Sequence, residues 1–370
     1  MDMVDTSKVW PSGSLHDKHR GELVAGRWLF GFIGCKGDLE WRRDAMNEKR
    51  NYGANNLCPK CCASKKCIDV LFTDMSAIAG WLKTLIKDVH YRLNNAETLS
   101  PLMSIPGMHC DGFCWDFMHN MFIGPGADAA ASALVLLIQI GWWANNVEEA
   151  LEKASDDFAA WCRAHEIDPP GKSFSRNNLG WRSNNEFPCL GWKAAEVKLV
   201  ISWVASILPD AGITGSVEVQ MAGACLWGAA DLIFVLDHAG MFLSTYEIDR
   251  ATKAGWTFLR SYVCLVDYTI KHHLVRWTLR PKLHYLAHQV LDLQTGLNPF
   301  FFSCFNDEDY MGRMSHLAAA VHARVVGDRS MSRYLILIQR RWLSHRQRLQ
   351  SHGWKPVLPT IFKRSRRKPS

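Results

Sequence analysis

The sequence predicts a mixed α/β fold in which helices dominate. Residues 28–34 form a compact apolar run with glycines around it, which is typical of a buried strand. Five later segments place apolar residues at helical spacing, at about 127–143, 146–165, 192–208, 217–236 and 246–275. With 370 residues and 48% hydrophobic content, the chain can bury a large core in two or three domains, or in one domain with a large insertion.

The remaining elements follow from local signals. Residues 1–25 are polar and are predicted to be loose, whereas residues 75–93 have the spacing of one helix. A helix is predicted after Pro281, followed at 296–304 by a strand or tight connector. Asn306 and three acids predict the next helix, which Gly327 is expected to end before a last helix leads into the tail.

The positive charge lies in the tail. Residues 339–370 contain ten Lys or Arg and no acid. Their charge of +10 exceeds the net charge of +7 for the whole chain, so residues 1–338 are slightly acidic. A run of this kind indicates a solvated end, or nuclear import and nucleic-acid contact, and we predict a nuclear protein that binds DNA. The closing cations are Lys363, Arg364, Arg366, Arg367 and Lys368.

The longest apolar run, residues 129–144, predicts a buried helix rather than a membrane span because it is short and contains Gln139. The first ten residues are polar and acidic, unlike a signal peptide. We therefore expect no membrane partner, and we interpret the 12 cysteines as reduced thiols or metal ligands.

Cys58 and Cys61 have the two-residue spacing of half a zinc site. The alternative is a group of buried reduced thiols. His284 and His288, four residues apart, share one helical face and are interpreted as packed or interface histidines. The remaining zinc ligands are sought among nearby side chains: Cys35, Cys62, Cys67, His109, Cys110 and Cys114.

Three acids are candidates for further chemistry. Asp38 comes just after the predicted strand, and Glu308 lies in the first turn of a predicted helix; carboxylates so placed can hold Mg²⁺, although each alone is typical of a cap or a solvated acid. Asp116 and His119, three residues apart, form either a buried hydrogen bond or part of a metal site. A hydrolase triad is not expected, because the sequence has no Gly-x-Ser-x-Gly elbow.

The order of these motifs resembles the transposases of eukaryotic cut-and-paste elements, in particular the CACTA-like group with the tnp2 type of transposase. The resemblance spans about residues 28–340, and it is the ordered set rather than one motif that carries it. The motifs are "FIGCKGD", "LCPKC", "SPLMSIPG", "DFMH", the helical stretch, "PKLHYLAH" and "CFNDEDYMGRM".

The resemblance implies an RNase H-like core with an Asp-Asp-Glu triad, whose two Mg²⁺ ions promote DNA strand cleavage and transfer. Asp38 matches the second Asp, Glu308 matches the Glu, and Asp116 with His119 matches the Asp-x-x-His signature. The implied organisation is a flexible N-terminus (1–25), a partial RNase H-like core with a Cys-rich turn (26–124), an all-helical insertion (125–280), the C-terminal part of the core (281–338) and a basic tail (339–370).

The chain departs from the family at the first Asp. The 37 residues before Asp38 contain Asp2, Asp5 and Asp17 in polar segments, whereas three strands and a helix need about 50 residues. We therefore expect an N-terminally truncated, transposase-derived chain whose catalysis is incomplete or inactive. The alternatives are a non-catalytic nuclear DNA-binding protein that uses the basic tail, or a mobile-element remnant with no selected activity. Association into a homo-oligomer stays open.

Overall fold

In a computed structural model, the structure describes residues 34–94, 99–105, 107–212 and 216–351. The chain divides into two compact units, Met1–Cys304 and Phe305–Ser370. Helices predominate and the described strands form one small sheet, which confirms the prediction of a helix-dominated mixed α/β fold. The predicted loose N-terminus, all of the predicted strand except Gly34, and the five closing cations lie outside the described residues.

The sheet of the first unit consists of two parallel strands, β1 (Cys35–Gly37) and β2 (Phe113–Trp115). Cys35 pairs with Phe113 and Gly37 with Trp115. An Asp follows each strand directly, Asp38 after β1 and Asp116 after β2. Since the strands run in the same direction, both acids lie at the same edge of the sheet.

The crossover between the strands begins with α1 (Leu39–Met46), which Asp38 caps by accepting a hydrogen bond from the Trp41 N–H at 2.6 Å. The predicted single helix at 75–93 is wrong, because the segment forms a 3₁₀ turn (Gly80–Thr84) and then α2 (Asp88–Asn94). Between them Leu85 is extended, and the Ile86 N–H donates to the Lys60 carbonyl at 2.9 Å, a bond that a continuous helix cannot make.

The helical stretch consists of α3 (Pro125–Gln139), α4 (Val147–Ala164), α5 (Ala194–Gly212), α6 (Val217–His238) and α7 (Thr245–Lys271). The predicted apolar helix is α3, which is buried over almost its whole length. A Cβ at Gly228 of α6 would lie 2.7 Å from the Phe258 backbone nitrogen of α7, so glycine allows these two helices to approach closely.

Two described helical segments are long and apolar enough to cross a membrane by length and composition alone. They are Met118–Gln139 and Val217–His238. The most apolar window of the first segment is 94% buried inside the protein, and that of the second is 56% buried. This is weak evidence for a membrane span, because the core helix of a globular protein has the same length and composition.

The first unit closes with α8 (Pro281–Asp292) and with 3₁₀ turns at Leu293–Thr295 and Pro299–Phe302. The segment at 296–304 is thus a tight connector rather than a strand. The Asn298 side chain fixes it by accepting from the Phe300 N–H at 3.0 Å and donating to the Leu236 carbonyl at 2.8 Å.

The second unit contains α9 (Phe305–Ala319) and α10 (Val326–Ser351), whose Tyr310 and Tyr334 rings meet edge to face at 4.9 Å. The predicted end of α9 at Gly327 is wrong, since α9 ends at Ala319 and Gly327 lies in the first turn of α10. A 3₁₀ turn intervenes, where the His322 side chain accepts from the Arg324 N–H at 3.3 Å.

Asp128, in the first turn of α3, is fully buried beside Arg280, whose Nε lies 3.0 Å from its Oδ2. Burial raises the pKa of Asp128 to about 6, against the opposing charge of Arg280. The folded state therefore holds this proton more tightly than the unfolded state, and stability falls as the pH rises from about 4 to about 6.

We expect Asp128→Asn to remove this decline, because the amide carries no titrating proton. In the wild type, the rise in the pKa of Asp128 to about 6 corresponds to a loss of about 3 kcal/mol in the free energy of unfolding by pH 7. Urea midpoints of both proteins at pH 4 to 7 measure the difference, and Asp249→Asn, at an exposed position, is the control. Parallel pH profiles of Asp128→Asn and wild type would contradict the prediction.

Candidate metal centre

Four metal-ligating side chains meet in the core of the first unit: Cys58, Cys61, His284 and His288. All four are buried, and their ligand atoms lie within 4.8 Å of one another. Sγ of Cys58 is 3.2 Å from Nε2 of His288, and Sγ of Cys61 is 3.3 Å from Nε2 of His284 and 3.4 Å from Nε2 of His288.

These separations fit a tetrahedral zinc ion. Zinc bonds of about 2.3 Å to sulfur and about 2.0 Å to nitrogen place the two atoms about 3.5 Å apart along a tetrahedral edge. Two thiolates and two imidazoles fill all four positions, which is the arrangement of a structural site rather than a catalytic one. The cluster can therefore hold a metal ion such as zinc.

The loop around Cys58 and Cys61 is shaped to present both sulfur atoms. The N–H of Lys60 lies 3.4 Å from Sγ of Cys58, and the N–H of Ala63 lies 3.4 Å from Sγ of Cys61. Each sulfur thus accepts from the backbone two residues further on, a contact that stabilises a thiolate. His284 and His288 reach the loop together because they lie one turn apart on α8.

The protonation of the cluster favours a cation. Burial alone raises the pKa of Cys58, but hydrogen bonding from Cys61 and the neighbouring imidazoles outweigh it, so the pKa of Cys58 lies well below its usual value. The pKa of Cys61 is raised, chiefly because it shares its proton with Cys58. A divalent cation in place of that proton stabilises both thiolates, while burial lowers the pKa of His284 and keeps the ring neutral for binding.

Aromatic side chains close the centre. The buried Trp81 ring lies 4.6 Å from that of His284 and 5.3 Å from that of His288, and its Nε1–H donates to the Asp74 carbonyl at 2.7 Å. The hydroxyl of Tyr285 donates to the Leu57 carbonyl at 2.7 Å, which fixes α8 against the start of the loop. Packing of this kind excludes water and orients the ligands.

The zinc prediction at Cys58 and Cys61 is thus supported, but the residues predicted as the other ligands are wrong. None of the six side chains considered near the loop belongs to the cluster; its other members are His284 and His288, more than 220 residues away. The available signal was the pairing of two motifs, Cys-x-x-Cys and His-x-x-x-His, each of which supplies half of a tetrahedron.

Asp116 and His119 form a hydrogen bond at the end of β2, where Asp116 is buried. Asp116 also accepts from the N–H of Met118 at 2.9 Å and of Cys304 at 3.1 Å. Burial alone would raise the pKa of Asp116. The hydrogen bond with His119 outweighs burial, so the pKa of Asp116 lies below its usual value and the carboxylate stays charged. A π-helical turn, Met118–Phe122, carries His119 outward, and Asn120 in the same turn donates to Gln289 of α8 at 3.1 Å.

Asp38 and His119 line a common cavity of about 370 Å³, here named the Asp38 cleft. Three cationic side chains also line it: Lys65, Arg280 and Lys282. Burial and the neighbouring charge of Arg280 lower the pKa of Lys282, so the cationic wall of the cleft is crowded with positive charge. The other lining residues are Leu39, Glu40, Tyr52 and Pro281.

Glu308 is exposed in the first turn of α9 and belongs to the second unit, whereas Asp38 belongs to the first. Within the part of the chain that the structure describes, the cluster of three or more close metal-ligating side chains is the Cys₂His₂ group. The geometry of these residues therefore supports zinc and gives the magnesium prediction no support.

Fold and site together define a helix-dominated protein with a buried Cys₂His₂ metal centre that joins a cysteine loop to a distant helix. No known protein family, curated protein or solved structure matches this chain.

Proposed function

We propose that this chain is a transposase-derived protein of the CACTA-like group that binds DNA without cutting it. The observation that carries this proposal is the composition of the Asp38 cleft, where three cations and His119 surround the site at which the family places a catalytic acid. In this proposal the Cys₂His₂ centre is structural, and it holds together the segments that form the cleft.

The strand pair supports an RNase H-like ancestry. β1 and β2 are parallel and in register, and each leads directly into an acid. Parallel strands with carboxylates at one edge suit the back half of such a core. The helices α3 to α7 follow β2 at the place where the resemblance puts the all-helical insertion.

The contacts of the acids favour a non-catalytic role. Asp38 caps α1, and Asp116 already accepts three hydrogen bonds, so a divalent ion would have to replace contacts that hold the backbone. With Asp38 engaged in capping α1, DNA binding is favoured over strand transfer.

Three cations line the cleft against two acids, Asp38 and Glu40, and this excess of positive charge suits a phosphodiester. The ammonium groups of Lys65 and Lys282 are anchored by the carbonyls of Tyr52 and Ile123, which positions both charges at the cleft. Neutralising DNA phosphates releases counterions, and this makes binding strongly dependent on salt. The five closing cations of the tail, between positions 363 and 368, would add phosphate contacts to the same partner.

The double variant Lys65→Gln/Lys282→Gln tests the proposal. We expect it to weaken binding of a 20-base-pair duplex at least tenfold and to reduce the slope of log K against log salt by about two, one for each lysine. Fluorescence anisotropy at several salt concentrations measures both quantities. Glutamine keeps a hydrogen-bond donor at each position, so the change removes charge rather than packing.

The matched control is Lys153→Gln/Lys253→Gln, which removes the same charge from two exposed helical positions. Equal affinities of the test and control variants would overturn the role of the cleft. Nicking or joining of the duplex in Mg²⁺ or Mn²⁺, lost in Glu308→Ala, would overturn the non-catalytic assignment and restore strand transfer.

A further inference from the structure

The α9–α10 hairpin has almost no core of its own. Among its described side chains, only Ser330 is buried. Apolar side chains of α10 are instead exposed to solvent, with Leu335 at 57%, Ile336 at 51% and Leu343 at 43%. Helices draw most of their stability from packing an apolar face, and an exposed apolar face of this kind is typical of an interaction surface.

Helical geometry separates the two sides of α10. Tyr334 packs against Tyr310 of α9, and Leu337, Ile338 and Arg341 line a small cavity of about 200 Å³ together with α9 residues. At 100° per residue, Leu335, Ile336 and Leu343 lie about 100°, 160° and 180° around the helix from Tyr334, outside the side that faces α9. We name these three residues the outer strip.

Arginines flank the outer strip along one edge. Arg329, Arg333 and Arg340 are all exposed and lie between the strip and the α9-facing side. Asp328 is the one acid of α10. A basic helix with an apolar strip is typical of segments that lie in the groove of an acidic protein or on a membrane surface.

We infer that the outer strip docks into an acidic protein that offers an apolar groove. The apolar strip would fill the groove and the arginine edge would face its acidic rim. A second copy of α10 suits the strip poorly, because it would bring two arginine edges together. Nucleic acid would neutralise the arginines but would leave the leucine and isoleucine side chains in water.

Calcium-loaded calmodulin is the probe, because it combines an acidic surface with a methionine-rich groove. We expect the full chain to bind labelled calmodulin with a dissociation constant below about 1 μM in an anisotropy titration. Leu335→Gln/Ile336→Gln/Leu343→Gln should weaken binding at least tenfold, and Arg329→Gln/Arg340→Gln should weaken it and reduce its salt dependence.

The control is Ile68→Gln/Val89→Gln/Ile270→Gln, which removes three exposed apolar side chains from the first unit and should bind as the wild type does. Each competing occupant gives its own result, and each overturns the inference. If the wild type binds phosphatidylserine vesicles and not calmodulin, the strip binds a membrane. If sedimentation shows a wild-type dimer that the strip variant does not form, the strip binds a second copy of the chain. If the strip variant melts well below the control in the absence of any partner, the strip is covered by another part of the same chain. If the wild type does not bind calmodulin, an acidic protein groove is not the occupant.

Discussion

Cys58→Ser is expected to abolish zinc retention and to lower the free energy of unfolding by about 4 kcal/mol or more. The serine hydroxyl cannot replace a thiolate, and the loss opens a centre that joins the loop at 57–63 to α8. Because the ligands come from segments more than 220 residues apart in sequence, the ion crosslinks the first unit. Metal analysis of the purified protein should give one zinc per wild-type chain and none in the variant.

Cys62→Ser is the matched control, because Cys62 is adjacent to Cys61 but is exposed and outside the cluster. We expect it to keep its zinc and its urea midpoint. If Cys58→Ser does not fold, the wild type still tests the centre, since a strong chelator should lower its melting temperature and added zinc should restore it. Zinc retained by Cys58→Ser, or a wild type unaffected by the chelator, would rule out a structural metal here.

Arg276→Met is expected to destabilise the first unit by about 3–5 kcal/mol, because it leaves the buried carboxylate of Glu218 without its counterion. The side chains are 6% and 4% exposed and meet through two parallel bonds, Nε to Oε1 at 2.8 Å and Nη2 to Oε2 at 2.6 Å. Arg276 also donates to Gln139 of α3, so the pair connects α6 and α3. Urea denaturation of the variant at pH 7 measures the loss.

Arg176→Met provides the comparison, because Arg176 pairs with Glu148 at the surface, where solvent already screens both charges. Its midpoint should stay close to that of the wild type. Equal midpoints for Arg276→Met and Arg176→Met would mean that Glu218 finds another partner or water when the arginine is lost, and that the buried pair does not hold the helices together.

Much of the helical organisation could be predicted, because apolar periodicity is a local property of the chain. The segments predicted at 146–165 and 217–236 correspond to α4 (Val147–Ala164) and α6 (Val217–His238). Periodicity failed at 75–93, where Trp81 turns into the core beside the two histidines and Ile86 bonds to the cysteine loop. Both interactions are long-range, so local spacing carried no sign of them.

The candidate site was predicted only in halves. Spacing alone identified Cys58 with Cys61 as half of a zinc site, and His284 with His288 as neighbours on one helical face. Their meeting depends on the packing of α8 against the loop through Tyr285 and Trp81, and neither motif specifies that packing. For the same reason, the sequence could not predict that Asp38 and His119, which are 81 positions apart, line the same cavity.

The sequence by itself determined the local properties of this protein: the helix-dominated composition, the zinc-type spacing of its cysteines and the basic tail. Only the tertiary structure decided which distant groups become neighbours. It completed the Cys₂His₂ centre, placed Lys65, Arg280 and Lys282 around Asp38, and buried Asp128 beside Arg280. The physical reason is that coordination and pKa depend on distances of a few ångströms, and for segments this far apart packing alone sets those distances.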